Sequence, residues 1–191
     1  GAFADTGIRI ERGEVRKILD WVKLPKSDQN QSEQKLALVT GKSGQGKSVV
    51  MQQLAEALRT DGYTILGIKA DDLASIRQSL LSLHDLQQLL EMPAPIEHCV
   101  KAVAREKLCV VLIDQLDTLA LTLNTDEQSL RVVVNLVDRI REITNVKIVV
   151  SCRDFERLND PVLGGIKVDR LFPVGELQED DINQVLQQLN Q

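Results

Sequence analysis

The sequence predicts an α/β fold in three layers, with a central parallel sheet covered by helices on both faces. Short apolar runs alternate along the chain with segments whose apolar residues recur at helical spacing. The runs "LCVVLID" and "VKIVVSC" lack polar–apolar alternation, which is typical of strands buried on both faces. Strands that alternate with helices form right-handed βαβ units, and these place helices on both faces of a parallel sheet.

The composition fits one folded domain with a small appendage. The chain has 191 residues, of which 43% are hydrophobic but only 3% aromatic, so we expect an aliphatic core. The net charge of −5 disfavours direct contact of this segment with a nucleic-acid backbone. No run approaches the ~20 apolar residues that span a bilayer, and the opening "GAFADTG" lacks a secretory signal pattern. We therefore expect a cytoplasmic protein without a membrane partner.

The first elements of the chain surround a glycine-rich loop. Apolar spacing predicts a helix from about Glu14 to Val22, which Pro25 ends, and the polar stretch "KSDQNQSEQ" is a connection. "KLALVT" predicts a buried strand that leads directly into the glycines of "GKSGQGKS". A helix follows the loop, because apolar residues recur there at helical spacing: Val50, Leu54, Ala57 and Leu58.

The second half of the chain continues the alternation. "YTILGIKA" predicts a second strand, residues 72–90 a mixed helical region, and the stretch from Ile96 a further helix. "LCVVLID" predicts a central strand, after which Thr125 and Gln128 form a capping-box pattern that opens another helix. "VKIVVSC" and "IKVDRLFPV" predict the last two strands. "EDDINQVLQQL" predicts a final helix with acidic residues at its start.

Three parts are expected along the chain. Residues 1–34 form an N-terminal helix and linker, residues 35–175 the core, and residues 176–191 the start of a helical lid or next subdomain. The final helix has an apolar face but arrives when the sheet is complete. We therefore expect the chain to be a piece of a larger protein, with further domains as partners.

The stretch "GKSGQGKS" satisfies the pattern G-x-x-x-x-G-K-[ST] between a predicted strand and a predicted helix. Glycines let the backbone turn its N–H groups toward an anion, and the start of the next helix adds its positive end. Lys47 is expected to reach the β- and γ-phosphate oxygens and to act as a catalytic residue there. The sequence therefore predicts a nucleoside triphosphate site. Its cofactor-binding residues are Gly41, Lys42, Ser43, Gly44, Gln45, Gly46, Lys47, Ser48 and Val49.

A magnesium site is predicted beside this loop. Mg²⁺ prefers oxygen ligands, and the Ser48 hydroxyl is one candidate. Asp114 is the second, because it ends the buried strand "LCVVLID" at the edge of the sheet where ligands bind. The alternative for Asp114 is a carboxylate that only caps a turn.

Hydrolysis requires a group that orients or deprotonates the attacking water. Many phosphate-loop ATPases place Glu directly after the metal-binding Asp, but this chain has Gln115, which cannot accept a proton. Asp117 is the nearest carboxylate, and it is either the catalytic base or a residue that stabilises the loop. Slow hydrolysis is therefore expected.

The strand "VKIVVSCRD" supplies two further candidates. Ser151 and Arg153 lie where a strand end could present a polar group and a cation to the γ-phosphate, Arg153 in a catalytic role. The alternative for Arg153 is an ordinary salt bridge with Asp154 or Glu156.

The phosphate loop, "LIDQLDTL" and "VVSCRDF" together resemble the STAND and AAA+ side of the P-loop ATPases, including NACHT-type proteins. Asp114 and Asp117 match the STAND pattern at the metal strand, whereas Gln115 replaces a small residue and Thr118 a final Glu. "IERGEVRKILDWV" is similar to the segment that packs near the adenine in this group, with Arg12 and Glu14 as its charged residues.

This resemblance implies the strand order 5-1-4-3-2. It also implies that ATP with Mg²⁺ acts as a switch in a larger signalling or antiviral-defence protein, with nucleotide-dependent formation of a homo-oligomer. Three other functions stay open from the sequence. They are an AAA+-type loader or remodeller of nucleic acid, a small-molecule kinase, and a module that binds nucleotide without hydrolysing it.

Overall fold

The computed structural model describes residues 12–24, 34–74, 80–121 and 127–176. Five strands lie within these ranges: β1 (Leu36–Gly41), β2 (Thr64–Lys69), β3 (Cys109–Asp114), β4 (Val146–Arg153) and β5 (Arg170–Pro173). The helices are α1 (Gly13–Lys23), α2 (Lys47–Thr60), α3 (Ala70–Ala74), α4 (Leu83–Leu89), α5 (Ile96–Ala104), α6 (Thr118–Leu121), α7 (Glu127–Arg141), α8 (Asp154–Asn159) and α9 (Pro161–Gly164).

The five strands form one parallel sheet in the order β2-β3-β4-β1-β5. This is the predicted order 5-1-4-3-2 read from the opposite edge, so the predicted fold class is confirmed. Because all strands run the same way, their carboxyl ends share one edge of the sheet. At that edge Gly41 pairs with Arg153, and Lys69 pairs with Asp114.

The core lies on both faces of the sheet, as the apolar runs predict. One face packs β1, β3 and β4 against α5 and α7 through residues such as Val111, Ile148 and Leu136. The opposite face packs alternate residues of the same strands, including Val39 and Val149, against α1 and α2. All six residues of β1 and of β3 are buried, because a central strand has no solvent-facing side.

Helix α1 packs onto this second face through one aromatic side chain that the apolar spacing did not single out. Trp21 is buried and contacts the ring of Phe172 edge-on, with the centroids 6.2 Å apart. The Lys147 ammonium lies 4.6 Å from the centroid of the Trp21 ring. The helix beside the glycine loop is thus fixed to β4 and β5 of the sheet.

Several predicted elements have different bounds in the structure. The mixed helical region of residues 72–90 overlaps the end of α3 and contains α4, with residues 75–79 outside the described ranges. Strand β5 is shorter than the run "IKVDRLFPV". The short helices α8 and α9 were not predicted, because four to six residues show no helical period.

Pro25, Thr125 and the helix predicted in "EDDINQVLQQL" lie outside the described residues. Within the described ranges, the helices are all too short or too polar to cross a membrane.

Candidate nucleotide site

The glycine loop joins β1 to α2 in a conformation that only glycine adopts without strain. Gly44 and Gly46 have φ values of 80° and 89°, in the left-handed region. A Cβ on Gly41 would lie 2.8 Å from the carbonyl oxygen of Val174, a backbone atom that cannot move aside cheaply. Lys42, Ser43 and Gly44 are exposed, so the loop opens to solvent.

Lys47 is the first residue of α2, and its ammonium lies across the loop. The Nζ atom donates hydrogen bonds to the carbonyl oxygens of Gly41 at 2.8 Å and Lys42 at 2.9 Å. Lys47 is 8% exposed, which is unusual for a lysine. A buried ammonium held by neutral carbonyls gains a stronger partner when a phosphate approaches, because the phosphate oxygens carry an opposite charge that the carbonyls lack.

The two predicted metal ligands are joined by a chain of hydrogen bonds. Ser151 Oγ donates to Asp114 Oδ1, and the Gln115 N–H donates to Ser151 Oγ at 2.8 Å. The Gln115 side-chain amide then donates to the Ser48 hydroxyl at 3.1 Å. Sequence reasoning did not predict this link, because it depends on which strands are neighbours.

Gln115 reaches Ser48 from an uncommon backbone conformation. Its φ is 57°, in the left-handed region where a non-glycine residue costs of order 1–3 kcal/mol. Thr118 stabilises the turn, since its N–H and its hydroxyl both donate to the Gln115 carbonyl oxygen. Such a strained residue at the carboxyl edge of a sheet is typical of functional sites.

The donor set fits Mg²⁺. Ser48 and Asp114 supply a hydroxyl and a carboxylate, and Mg²⁺ commonly takes its other ligands from phosphates and water. No cluster of three His, Cys, Asp or Glu side chains suited to a metal occurs among the described residues. These residues therefore fit a Mg²⁺ ion that binds together with a nucleotide. They do not resemble a site in which the protein supplies all the ligands.

The side chain of Ser151 is fully buried between β3 and β4. Its hydroxyl donates to Asp114 and accepts from the Gln115 N–H, so it holds the Asp114 carboxylate in place. Direct contact of Ser151 with a phosphate stays a prediction.

Arg153 lies between two carboxylates at the end of β4. Its Nε is 3.0 Å from Asp117 Oδ2, and its Nη1 is 3.4 Å from Glu156 Oε1. The Arg153 N–H also donates to Asp117 Oδ1 at 3.1 Å. The salt bridge to Glu156 anticipated from the sequence is present, whereas the pairing with Asp117 was missed.

Burial perturbs two acids in this cluster. It raises the pKa of Asp117, which is 1% exposed, while Arg153 counteracts the rise. Burial also raises the pKa of the Cys152 thiol to about 12, and the charges of Asp117 and Glu156 add to the effect. Cys152 is therefore a neutral thiol, as expected for a buried reduced cysteine.

A second cluster of hydrogen bonds, around Arg12, Glu14 and Gly175, connects the segment after β5 to α1. The Arg12 Nη2 atom donates to the Gly175 carbonyl oxygen at 2.8 Å, and the Gly175 N–H donates to Glu14 at 3.4 Å. The Arg12 N–H donates to Gln53 of α2 at 3.1 Å. A Cβ on Gly46 would lie 3.9 Å from Arg12 Nη1, so this cluster borders the glycine loop. Burial opposes ionisation of Glu14, but its hydrogen bonds, including those from Arg12, leave its pKa lowered.

Comparison with protein families gives one match. The model described as "ATPase family associated with various cellular activities (AAA)" matches residues 37–175. Among curated proteins, none matches the sequence.

Solved structures share the fold at low sequence identity. A Walker-type ATPase of Pyrococcus abyssi superposes with a TM-score of 0.60 at 14% identity, over 94% of this chain and 57% of that one. PCH-2 of C. elegans gives 0.54 at 22% identity, over 87% and 43%. The ORC2 protein of Aeropyrum pernix, solved as ADPNP–ADP complexes, gives 0.55 at 13% identity, over 95% and 52%. The chain thus spans about half the length of these proteins.

Proposed function

Because the chain belongs to the AAA family of ATPases, we propose that it binds ATP in the glycine loop and uses the nucleotide as a switch within a larger protein. The observation that carries this proposal is the Lys47 ammonium, buried across a glycine loop whose backbone is open to solvent. Polyphosphate oxygens would replace the loop carbonyls as its partners, because they carry full charge.

Residues 41–49 would form the phosphate site. The N-terminus of α2 begins at Lys47, so its free N–H groups and positive end point toward the loop. The half-exposed Val49 side chain lies in the first turn of α2, beside the path of the nucleotide.

Ser48 and Asp114 would hold Mg²⁺. When bound, the metal would neutralise phosphate charge and fix the phosphate oxygens for attack. The chain's own contribution is to orient the two ligands through Ser151 and Gln115.

We expect hydrolysis to be slow, because Gln115 can orient water but cannot accept its proton. The sequence predicted Asp117 as the base, but both of its oxygens accept hydrogen bonds from Arg153 in the structure, so neither is free to take a proton there. Slow hydrolysis suits a switch, since the bound nucleotide then persists long enough to set the state of the protein.

A STAND-like role in cytoplasmic signalling or antiviral defence is supported by the resemblance of "LIDQLDTL" and "VVSCRDF" to that group. A switch requires that ATP and ADP bind two conformations with different affinity. Further domains of a larger protein would respond to this difference.

Two measurements test the proposal. Calorimetry should show that Lys47→Ala weakens ATP binding by at least tenfold, whereas Lys101→Ala, at an exposed position of α5 outside the loop, changes it little. Undiminished ATP affinity in Lys47→Ala would contradict the assignment.

The second measurement compares the full-length protein in ATP and in ADP by light scattering. We expect a larger mass with ATP, as for nucleotide-dependent assembly. Equal masses and equal shapes in the two nucleotides would contradict the switch, and DNA-stimulated turnover would favour the loader alternative.

A further inference from the structure

Two buried side-chain oxygens lack a hydrogen-bond partner among the described residues: Asp71 Oδ1 and Glu156 Oε2. Both belong to residues that follow the carboxyl end of a strand, β2 for Asp71 and β4 for Glu156. A buried polar atom without a partner is costly, and in native structures it often marks a functional site. The Asp71 side chain is 38% exposed, whereas that of Glu156 is only 10% exposed, so Glu156 is the stronger candidate.

Glu156 lies beside the phosphate loop. Its Oε1 atom is 3.4 Å from Nη1 of Arg153, and Arg153 pairs in the sheet with Gly41, the first residue of that loop. Glu156 is therefore linked through Arg153 to the end of the strand that leads into the phosphate loop.

Glu156 and Asp117 differ in how their carboxylate oxygens are hydrogen-bonded. Asp117 accepts from the Arg153 side chain with one oxygen and from the Arg153 backbone N–H with the other. The backbone bond stays even if the guanidinium turns toward a phosphate. Glu156, by contrast, has one long contact with Arg153 and one free oxygen, so it can accept a proton without breaking a hydrogen bond.

We propose that Glu156 is the proton acceptor in ATP hydrolysis, in place of the Glu that is absent after Asp114. This inference rests on the proposed nucleotide site. The water oxygen forms a bond to the γ-phosphorus while the bond from that phosphorus to the β,γ-bridging oxygen breaks, and its electron pair stays on ADP. The water proton passes to the Glu156 carboxylate, which opens to the site when the Arg153 guanidinium turns toward the phosphate. Glu156 later releases the proton to solvent, and the products are ADP and phosphate.

Arg153 connects this step to substrate binding. In the structure its guanidinium lies between Asp117 and Glu156 and is about one third exposed. A γ-phosphate offers the guanidinium a stronger partner. Its departure leaves both oxygens of Glu156 available but only one of Asp117, because Asp117 Oδ1 still accepts from the Arg153 backbone N–H. Asp117 acts as a positioning residue that fixes the Arg153 backbone.

The test uses Glu156→Gln in the full-length protein, with Asp154→Asn as the matched control. Asp154 is an exposed carboxylate in the same first turn of α8. We expect Glu156→Gln to lower the single-turnover rate by about 10²-fold while ATP affinity stays within about threefold, because general-base catalysis typically contributes that much. Asp154→Asn should match the wild type in both measurements.

The pH profile distinguishes a base from a partner that only holds Arg153. In the wild type the rate should fall at low pH as the base becomes protonated, and this acid limb should disappear in Glu156→Gln. A structural role would lower the rate at every pH and keep the acid limb. Adding Gln115→Glu to Glu156→Gln should restore part of the rate, because it places a carboxylate beside Ser48.

Three results would overturn the proposal. The first is an unchanged rate in Glu156→Gln, and the second is an acid limb that Glu156→Gln keeps but Asp117→Asn removes. The third is a wild-type protein that binds ATP through Lys47 but releases no phosphate, which would leave the nucleotide site standing. A protein that binds no ATP would instead remove the proposed function itself.

Discussion

The side-chain amide of Gln115 donates a hydrogen bond to the hydroxyl of Ser48 across 3.1 Å. The first residue after β3 therefore touches the residue of the phosphate loop that is expected to bind the metal. The backbone of Gln115 is in the left-handed region, with a φ of 57°, and this conformation directs its side chain toward Ser48. The residue directly after Asp114, where many phosphate-loop ATPases carry the base, thus contacts a predicted metal ligand in this chain but is chemically unable to take a proton.

We predict that Gln115→Glu increases ATP hydrolysis by roughly 10- to 100-fold, because it adds a proton acceptor next to the metal ligand. Phosphate release under single-turnover conditions measures the effect. Gln128→Glu, a change of the same charge in the exposed first turn of α7, should leave the rate unchanged. A rate for Gln115→Glu equal to the wild-type rate would show that a proton acceptor at this position adds nothing to turnover.

Gly41→Ala should destabilise the protein by about 1–3 kcal/mol, because the new Cβ would lie 2.8 Å from the Val174 carbonyl oxygen at a φ of 154°. Denaturant unfolding measures the loss. Gly44→Ala is the matched control, since its φ is also positive but nothing lies within 4 Å of the new Cβ. If Gly44→Ala were as damaging as Gly41→Ala, the contact with Val174 would not be the cause.

Arg12→Ala should lower the free energy of unfolding by about 2 kcal/mol, because hydrogen bonds to Glu14 and Gly175 are lost from a buried charge. Hydrogen exchange should also speed up in α1. The emission of Trp21, the single tryptophan of the chain, should shift toward that of an exposed indole. Arg16→Ala, at an exposed position of the same helix, serves as the control. Equal stability of the two variants would show that the cluster around Gly175 does not hold α1.

Asp117 should make a pH-dependent contribution to stability. Burial raises its pKa above the usual 3.8, so the folded state binds this proton more tightly than the unfolded state. The contribution is fully present below the unfolded pKa and is lost as the pH rises through the folded pKa.

As the pH rises from the unfolded pKa of Asp117 through its folded pKa, the wild type should therefore lose free energy of unfolding relative to Asp117→Asn. Denaturant unfolding at a series of pH values checks the sign. A difference independent of pH would show that the Arg153 charge cancels the effect of burial.

The sequence alone determined the parts of this protein that depend on neighbours in the chain. The glycine loop is local, since β1, the turn and the start of α2 are continuous and the pattern of glycines with Lys47 specifies the backbone. Asp114 was likewise predictable, because a carboxylate that ends an apolar run must lie at the carboxyl edge of the sheet. The strand order was available only through the family resemblance of these motifs, and the structure confirms it.

Only the tertiary structure decided which side chains meet at that edge. Strand β4 lies between β1 and β3, so Ser151 reaches Asp114 and Arg153 reaches Asp117 across separations of more than 30 residues in the chain. Glu156 Oε2 is buried without a hydrogen-bond partner for a similar reason, because its burial depends on how α8 packs against the end of β4. Periodicity and motif spacing describe contacts along the chain, whereas these contacts arise from the order in which the strands assemble.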